Sequence, residues 1–220
     1  MQEITHPVRI FYSKTGRARY ISHLDTMRTL TRALRRSGLP FWYTMGFNPH
    51  LYLTFPLPLA LGVESHCEIV DLRLTDLLDL PTLTETINAH LPPGFEAGSV
   101  AAPVLPATAI AWAEYRLELG LERERLQGVA QAIEKLFVQP EVPVRKKTKK
   151  GEQTLDIRPH MQLLGLEAGE SLSCHLRLAA GTTLNVAPKL VLEALALEPP
   201  PSGVKVLRTA VLDAKLAPFE

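Results

Sequence analysis

The run Val8-Arg9-Ile10-Phe11-Tyr12-Ser13, then Lys14-Thr15-Gly16-Arg17-Ala18-Arg19, then Ser22-His23-Leu24-Asp25, decides the fold class. Its first six residues place Val8, Ile10 and Tyr12 on one side of an extended segment, the period-2 pattern of a half-buried strand. A polar loop follows. Ser22 with Asp25 three residues on has the form of a capping box, and Leu24, Met27, Leu30 and Leu34 recur at helical spacing until Gly38 and Pro40 stop the element. A strand that feeds a helix through a short loop needs further strands for that helix to cover.

Working outward, Leu39 to Thr44 reads as a returning strand, and residues 45–65, with Pro49, Pro56, Pro58 and two glycines, as an irregular connection. Glu68 to Leu74 alternates as a strand, Thr82 to His90 is a short helix, and Phe95 to Val104 is a last strand before Pro106. The order is β-α-β-β-α-β, the ferredoxin-like arrangement. The second half repeats it loosely. Tyr115 to Leu121 reads as a strand, Glu122 to Phe137 as a helix and Val142 to Ile157 as a basic hairpin. Leu172 to Leu178 reads as a strand, Pro188 to Leu197 as a helix and Val204 to Leu212 as a closing strand. The expectation is an α+β protein of two tandem ferredoxin-like (βαββαβ) modules, with antiparallel sheets and helices on one face. Residues 1–106 form the first module, with a basic helix and a Gly-Phe-Asn-Pro-His loop; residues 107–220 form the second, with the basic hairpin.

The 220 residues, 46% hydrophobic, are enough to bury a substantial core. No stretch approaches the roughly 20 apolar residues of a membrane span, and no secretory leader pattern opens the chain, so a cytoplasmic location without membrane contact is expected. Cys67 and Cys174 stand far apart without a Cys-x-x-Cys neighbour, so no metal or iron–sulfur site is expected in this chain and both read as small buried hydrophobes.

The formal net charge of +1 hides a sharp asymmetry. Residues 1–60 carry eight Lys/Arg against Glu3 and Asp25, for +6; residues 61–140 sum to −7, residues 141–160 to +3, and the rest to −1. Local potential, and so the choice of a charged partner, follows the segments rather than the total. Arg28, Arg32, Arg35 and Arg36 fall at i, i+4, i+7 and i+8 of the helix, away from its apolar stripe, with almost no acid among them. Arginine forks match phosphate oxygens, whereas the alternative is pairing with acids of the 61–140 segment. Lys14, Arg17 and Arg19 around Gly16 have the form of an anion cradle, without the Gly-x-x-x-x-Gly-Lys-[Ser/Thr] pattern of nucleotide hydrolysis. Phe41, Trp42, Tyr43, Phe47, Tyr52 and Phe55 crowd fifteen positions; Tyr43 and Phe47 are the expected exposed pair, able to stack on unpaired bases, with Asn48 beside them. Lys146, Lys147, Lys149 and Lys150 at the hairpin tip would add phosphate contacts.

A resemblance rests on Gly16-Arg17-x-x-Tyr20-Ile21-Ser22-His23-Leu24-Asp25, Gly46-Phe47-Asn48-Pro49-His50, Pro58-Leu59-x-Leu61-Gly62-Val63-x-Ser65 and Asp156-Ile157-Arg158-Pro159. With these the chain resembles the radical-SAM-linked family of uncharacterised proteins, whose members occur alone or fused behind a radical-SAM domain. The resemblance implies an RNA-binding accessory or substrate-recruiting module for a separate radical-SAM enzyme, which would itself use S-adenosylmethionine and an iron–sulfur cluster. This chain has no Cys-x-x-x-Cys-x-x-Cys, so no cofactor of its own is expected. The tandem arrangement is also similar to CRISPR repeat-processing endoribonucleases, which makes a metal-independent ribonuclease using His23 or His50 one alternative, although a late glycine-rich loop is missing. A protein-binding scaffold for the radical-SAM partner is the other.

Overall fold

The computed structural model describes residues 4–148 and 151–220. Lys149 and Lys150 lie outside the described residues, and of Lys146 and Lys147 only the backbone is described. The chain is mixed α+β, with mostly antiparallel strands, and divides into two compact units: one runs to Ile110 and takes in Pro218–Glu220, the other is Ala111–Ala217.

In the first unit, strand β1 (His6–Lys14) is central. It pairs antiparallel with β2 (Val63–Leu74) on one side and β3 (Phe95–Ala101) on the other, so that Ile10 faces Val70 and Val100. Helices α1 (His23–Arg36) and α2 (Leu80–Asn88) cover one face, burying Leu30, Leu34, Leu83 and Ile87 with Val8, Ile10, Tyr12, Val70 and Leu72. Each such side chain contributes about 1.5–3 kcal/mol of burial. Ser22 Oγ accepts the Asp25 N–H at 3.1 Å, the cap that the sequence implies.

The buried stripe of α1 differs from the expected one. Thr26, Leu30, Ala33 and Leu34 face the core, while Leu24 is exposed. At 100° per residue, Leu24 lies about 120° around the helix from Leu30, among the arginines. Thr26 tolerates burial because its hydroxyl donates to the Ser22 carbonyl at 3.0 Å.

Leu39 to Thr44 does not form a ladder strand. Phe41 makes a single bridge to Leu74, Tyr43 one to Leu51, and Thr54 one to Asp71, so residues 41–54 fold as a short hairpin against the edge of β2. Strand β2 begins at Val63, inside the stretch expected to be irregular.

In the second unit, β4 (Ile110–Gly120) leads to α3 (Arg123–Val138). Strands β5 (Pro143–Thr148) and β6 (Gly151–Asp156) then form a separate two-stranded sheet. They are followed by β7 (Met161–Ala168), β8 (Leu172–Ala179), α4 (Pro188–Leu195) and β9 (Gly203–Asp213), with strand order β9-β4-β8-β7. The expected alternation is plain in β8, where Leu172, Cys174, Leu176 and Leu178 are buried. Strand β7 is not among the expected strands. Its alternation is broken by Leu163-Leu164 and by a register shift between Leu163 and Gly165, a bulge that hides the period.

Candidate functional site

Helix α1 presents Arg28, Arg32 and Arg35 to solvent on the side opposite its buried stripe. Acids of the 61–140 segment do not neutralise them. Among the described residues the one acidic partner is Asp25, 3.3 Å from Arg28 and itself part of the cap. Arg32 makes no hydrogen bond or ion pair among the described residues. Arg36 is spoken for, donating to the His90 carbonyl at 2.8 Å. Arg35 lies over the Tyr43 ring, 5.5 Å from its centroid, with Nε 3.4 Å from the hydroxyl, which joins the helix to the hairpin.

That hairpin is a braced finger. Thr44 N–H donates to the His50 carbonyl at 2.8 Å, His50 N–H to Thr44 Oγ1 at 3.2 Å, and His50 Nδ1 lies 2.9 Å from the same hydroxyl and 3.3 Å from the Asn48 carbonyl. Its legs are tied by Trp42 and Tyr52 in edge contact, with the Arg73 guanidinium over both rings. Phe41 is buried, and Phe55 meets His23 edge-on at 5.0 Å. Tyr43 is half-buried against the same core, so five of the six clustered aromatic residues serve packing, and of the expected exposed pair Phe47 alone stands in solvent. At the tip, Phe47 is 105% exposed and Met45 82%, and the Asn48 side chain makes no hydrogen bond among the described residues. A cleft of about 440 Å³ opens beneath, lined by Trp42, Tyr43, Met45, Gly46, Pro49 and Thr75. Met45 went unremarked in the sequence, although its place beside Gly46-Phe47 in a turn was a signal.

The loop before α1 has another fate. Lys14 is 2% exposed; its Nζ donates to the Ile21 carbonyl at 3.1 Å, and burial lowers its pKa while Glu68 raises it. It is thereby withdrawn from any surface contact. Residues Gly16–Tyr20 form a 3-10 turn in which Gly16 takes φ +58°, open to glycine at little cost. Gly94 locks the turn from below, since a Cβ there would come within 2.8 Å of the Ala18 Cβ and of the Thr15 carbonyl. The cradle is occupied: the Gly16 N–H donates to Glu64 Oε1 at 2.8 Å, and Arg19 Nη1 lies 3.5 Å from the same oxygen. Glu64, 48 residues away, had no local signal in the sequence. Arg17 is exposed and makes no ion pair among the described residues.

Arg9 is a second buried cation, held by Asp71 through two hydrogen bonds of 2.7 and 2.9 Å, by the Glu220 carbonyl at 2.8 Å and against the Phe219 ring. In the second unit the Asp-Ile-Arg-Pro motif closes the base of the β5–β6 hairpin. Asp156 Oδ1 accepts the N–H groups of Val142 at 2.7 Å and Arg158 at 3.0 Å, which hold its carboxyl below the usual range. Arg158 in turn donates to the Gln139 carbonyl. Burial pushes the Cys174 thiol up to about 12, whereas Cys67 is only half-buried. Neither His23 nor His50 has an acidic partner among the described residues. Within that same set no cluster of three or more His, Cys, Asp or Glu could hold a metal ion, and no helix is long and apolar enough to cross a membrane.

The family model for an uncharacterized protein conserved in bacteria (DUF2344) matches residues 8–188, from β1 to the start of α4. The chain belongs to that family. The DUF2344 match therefore takes in the loop, the arginine helix, the finger and the hairpin together. A comparison with curated proteins finds no match.

Proposed function

We propose that the protein is an RNA-binding accessory that recruits substrate for a separate radical-SAM enzyme. The exposed arginine face of α1 carries the reading, because Arg28, Arg32 and Arg35 are offset by a single carboxylate. Three guanidinium groups on one side of a rigid helix suit a run of phosphates. The neighbouring finger adds an aromatic tip in Phe47 and a cleft beside it, the combination by which unpaired bases are stacked while cations hold the backbone. Of the residues expected to touch RNA, Arg17, Arg28, Arg32, Arg35, Tyr43, Phe47 and Asn48 remain in this reading. Lys14 is excluded by burial and Arg19 is engaged by Glu64.

The finer fold belongs to the same proposal. Each unit is read as a ferredoxin-like βαββαβ module, supported by the order β9-β4-β8-β7 in the second, and by the order β3-β1-β2 with Phe41 bridging outside β2 in the first. The partner, with its S-adenosylmethionine and iron–sulfur cluster, rests on the sequence resemblance. Two experiments test the function. Fluorescence anisotropy with small cellular RNA should show binding that the Arg28→Ala/Arg32→Ala/Arg35→Ala variant loses; unchanged affinity would sink the residue assignment. Crosslinking and sequencing of RNA co-purified from cells should give a specific enrichment, and recovery of a protein partner without any RNA would favour a scaffold instead.

A further inference from the structure

On the face of β3-β1-β2 that α1 and α2 do not cover, a hollow opens away from the arginine helix. Tyr12 and Lys14 are buried on the helix side of β1, so Phe11 and Ser13, which alternate with them, point to the other side. Both neighbours of β1 are bulged at this point. On β2, His66 and Cys67 together oppose Ser13, between the pairs Tyr12–Glu68 and Lys14–Ser65; on β3, Gly98 is the extra residue between Phe11–Ser99 and Tyr12–Ala97. Bulges re-aim side chains and gather next to active sites. The hollow, about 310 Å³, contains the half-buried Phe11 and is bordered by Ser13, His66, Glu96, Gly98 and Ser99. Pairing sets the arrangement, with Glu96 opposite Ser13 and Ser99 opposite Phe11. The side chains of Ser13, His66, Glu96 and Ser99 make no hydrogen bond or ion pair among the described residues. Gly98 keeps one wall bare although its surroundings do not demand glycine: a Cβ there would meet only the Phe11 carbonyl, at an ordinary 3.8 Å.

We propose that this hollow binds a guanine base, stacked on Phe11 and read by Glu96. An aromatic ring beside unpaired polar groups is the chemistry that holds an unstacked base. A carboxylate offers two acceptor oxygens and no donor. Guanine alone among the four bases presents two adjacent donors, N1–H and N2–H, to match them. Its other edge carries the acceptors O6 and N7, which suit the donors of Ser13, Ser99 and His66. Among the described residues no Lys or Arg borders the hollow, so the base rather than a phosphate is the part recognised. The inference stands on this face of β1 alone and does not depend on the arginines of α1. The guanine is either that of a free nucleoside or an unpaired one in an RNA strand.

Titration of isotope-labelled protein with guanosine, read at the Gly98 and Ser99 amides by NMR, tests it. Guanosine should shift both signals saturably, and inosine, which lacks the N2 amino group, should bind about tenfold more weakly. Glu96→Gln, a change at an exposed position, should bring the two nucleosides to equal affinity. Gly98→Leu should fill the hollow and abolish binding. The Arg28→Ala/Arg32→Ala/Arg35→Ala variant should bind guanosine as the wild type does, which separates this site from the arginine face. A wild type whose amides ignore guanosine, equal binding of guanosine and inosine, or an undiminished preference in Glu96→Gln overturns the site. If Gly98→Leu does not fold, Glu96→Gln decides alone. A uridine oligomer with one central guanosine that binds more tightly than free guanosine identifies an RNA guanine as the ligand. Equal or weaker binding of that oligomer assigns the site to a free nucleoside.

Discussion

Three of the four cations in the segment Arg9–Arg19 and three of the four arginines of helix α1 use similar positive charge in opposite ways, Arg17 and Arg36 being the exception in each. In the first, Arg9 is buried against Asp71, Lys14 is buried beside Glu68, and Arg19 faces Glu64. In the second, Arg28, Arg32 and Arg35 stay in water with one acid among them. The difference follows from element type. A central strand sends alternate residues to each face of a covered sheet, so its cations need internal partners. A surface helix leaves more than half its circumference in solvent.

This contrast predicts that stability and binding separate by region. The largest effect belongs to Arg9→Ala, which strips Asp71 of a two-pronged partner; roughly 3 kcal/mol of stability should be lost in urea unfolding, with RNA affinity unchanged once folded. Unaltered unfolding would break the contrast at its buried end. The Arg28→Ala/Arg32→Ala/Arg35→Ala variant should do the reverse. Its unfolding free energy should stay within about 0.5 kcal/mol per site, while the slope of log affinity against log salt falls by about 2, near 0.7 per phosphate released.

Phe47→Ala sharpens the comparison inside the exposed region. Its side chain touches solvent alone, so melting should not move, yet binding to a single-stranded oligomer should weaken by about 1–3 kcal/mol. Equal binding would leave phosphate contacts as the whole interaction. The smallest effect is at Asp156. Its folded pKa is depressed, so the stability it adds is present above the unfolded value near pH 4 and fades as pH falls through the folded value. Asp156→Asn should flatten the dependence of melting temperature on pH below about 4, and leave the curve near neutrality almost level.

How much of this was legible in the sequence depended on range. The cap at Ser22 and Asp25, the helix after it and the alternation of β8 are set by neighbours within a few positions, and each is readable locally. Strand β7 escaped because its bulge at Gly165 breaks the period on which such a reading depends. Leu24 looked apolar and therefore inward, but only the angle at which α1 meets the sheet decides which of several overlapping stripes is buried. Glu64 was out of reach for another reason. Its partner Gly16 is 48 residues away, and no local pattern marks one carboxylate among many as the partner of a distant turn. The exposed arginines were legible as a cluster, yet whether acids from afar would quench them required coordinates.

The β5–β6 hairpin leaves the chain after α3 and returns before β7, forms its own sheet, and is pinched shut at its base by Asp156 and Arg158. Its base is not free of the unit, since Val142, Val144 and Ile157 are buried and β5 meets α4, so any change of length belongs beyond Val144, where the ladder is paired only with itself and the order β9-β4-β8-β7 does not depend on it.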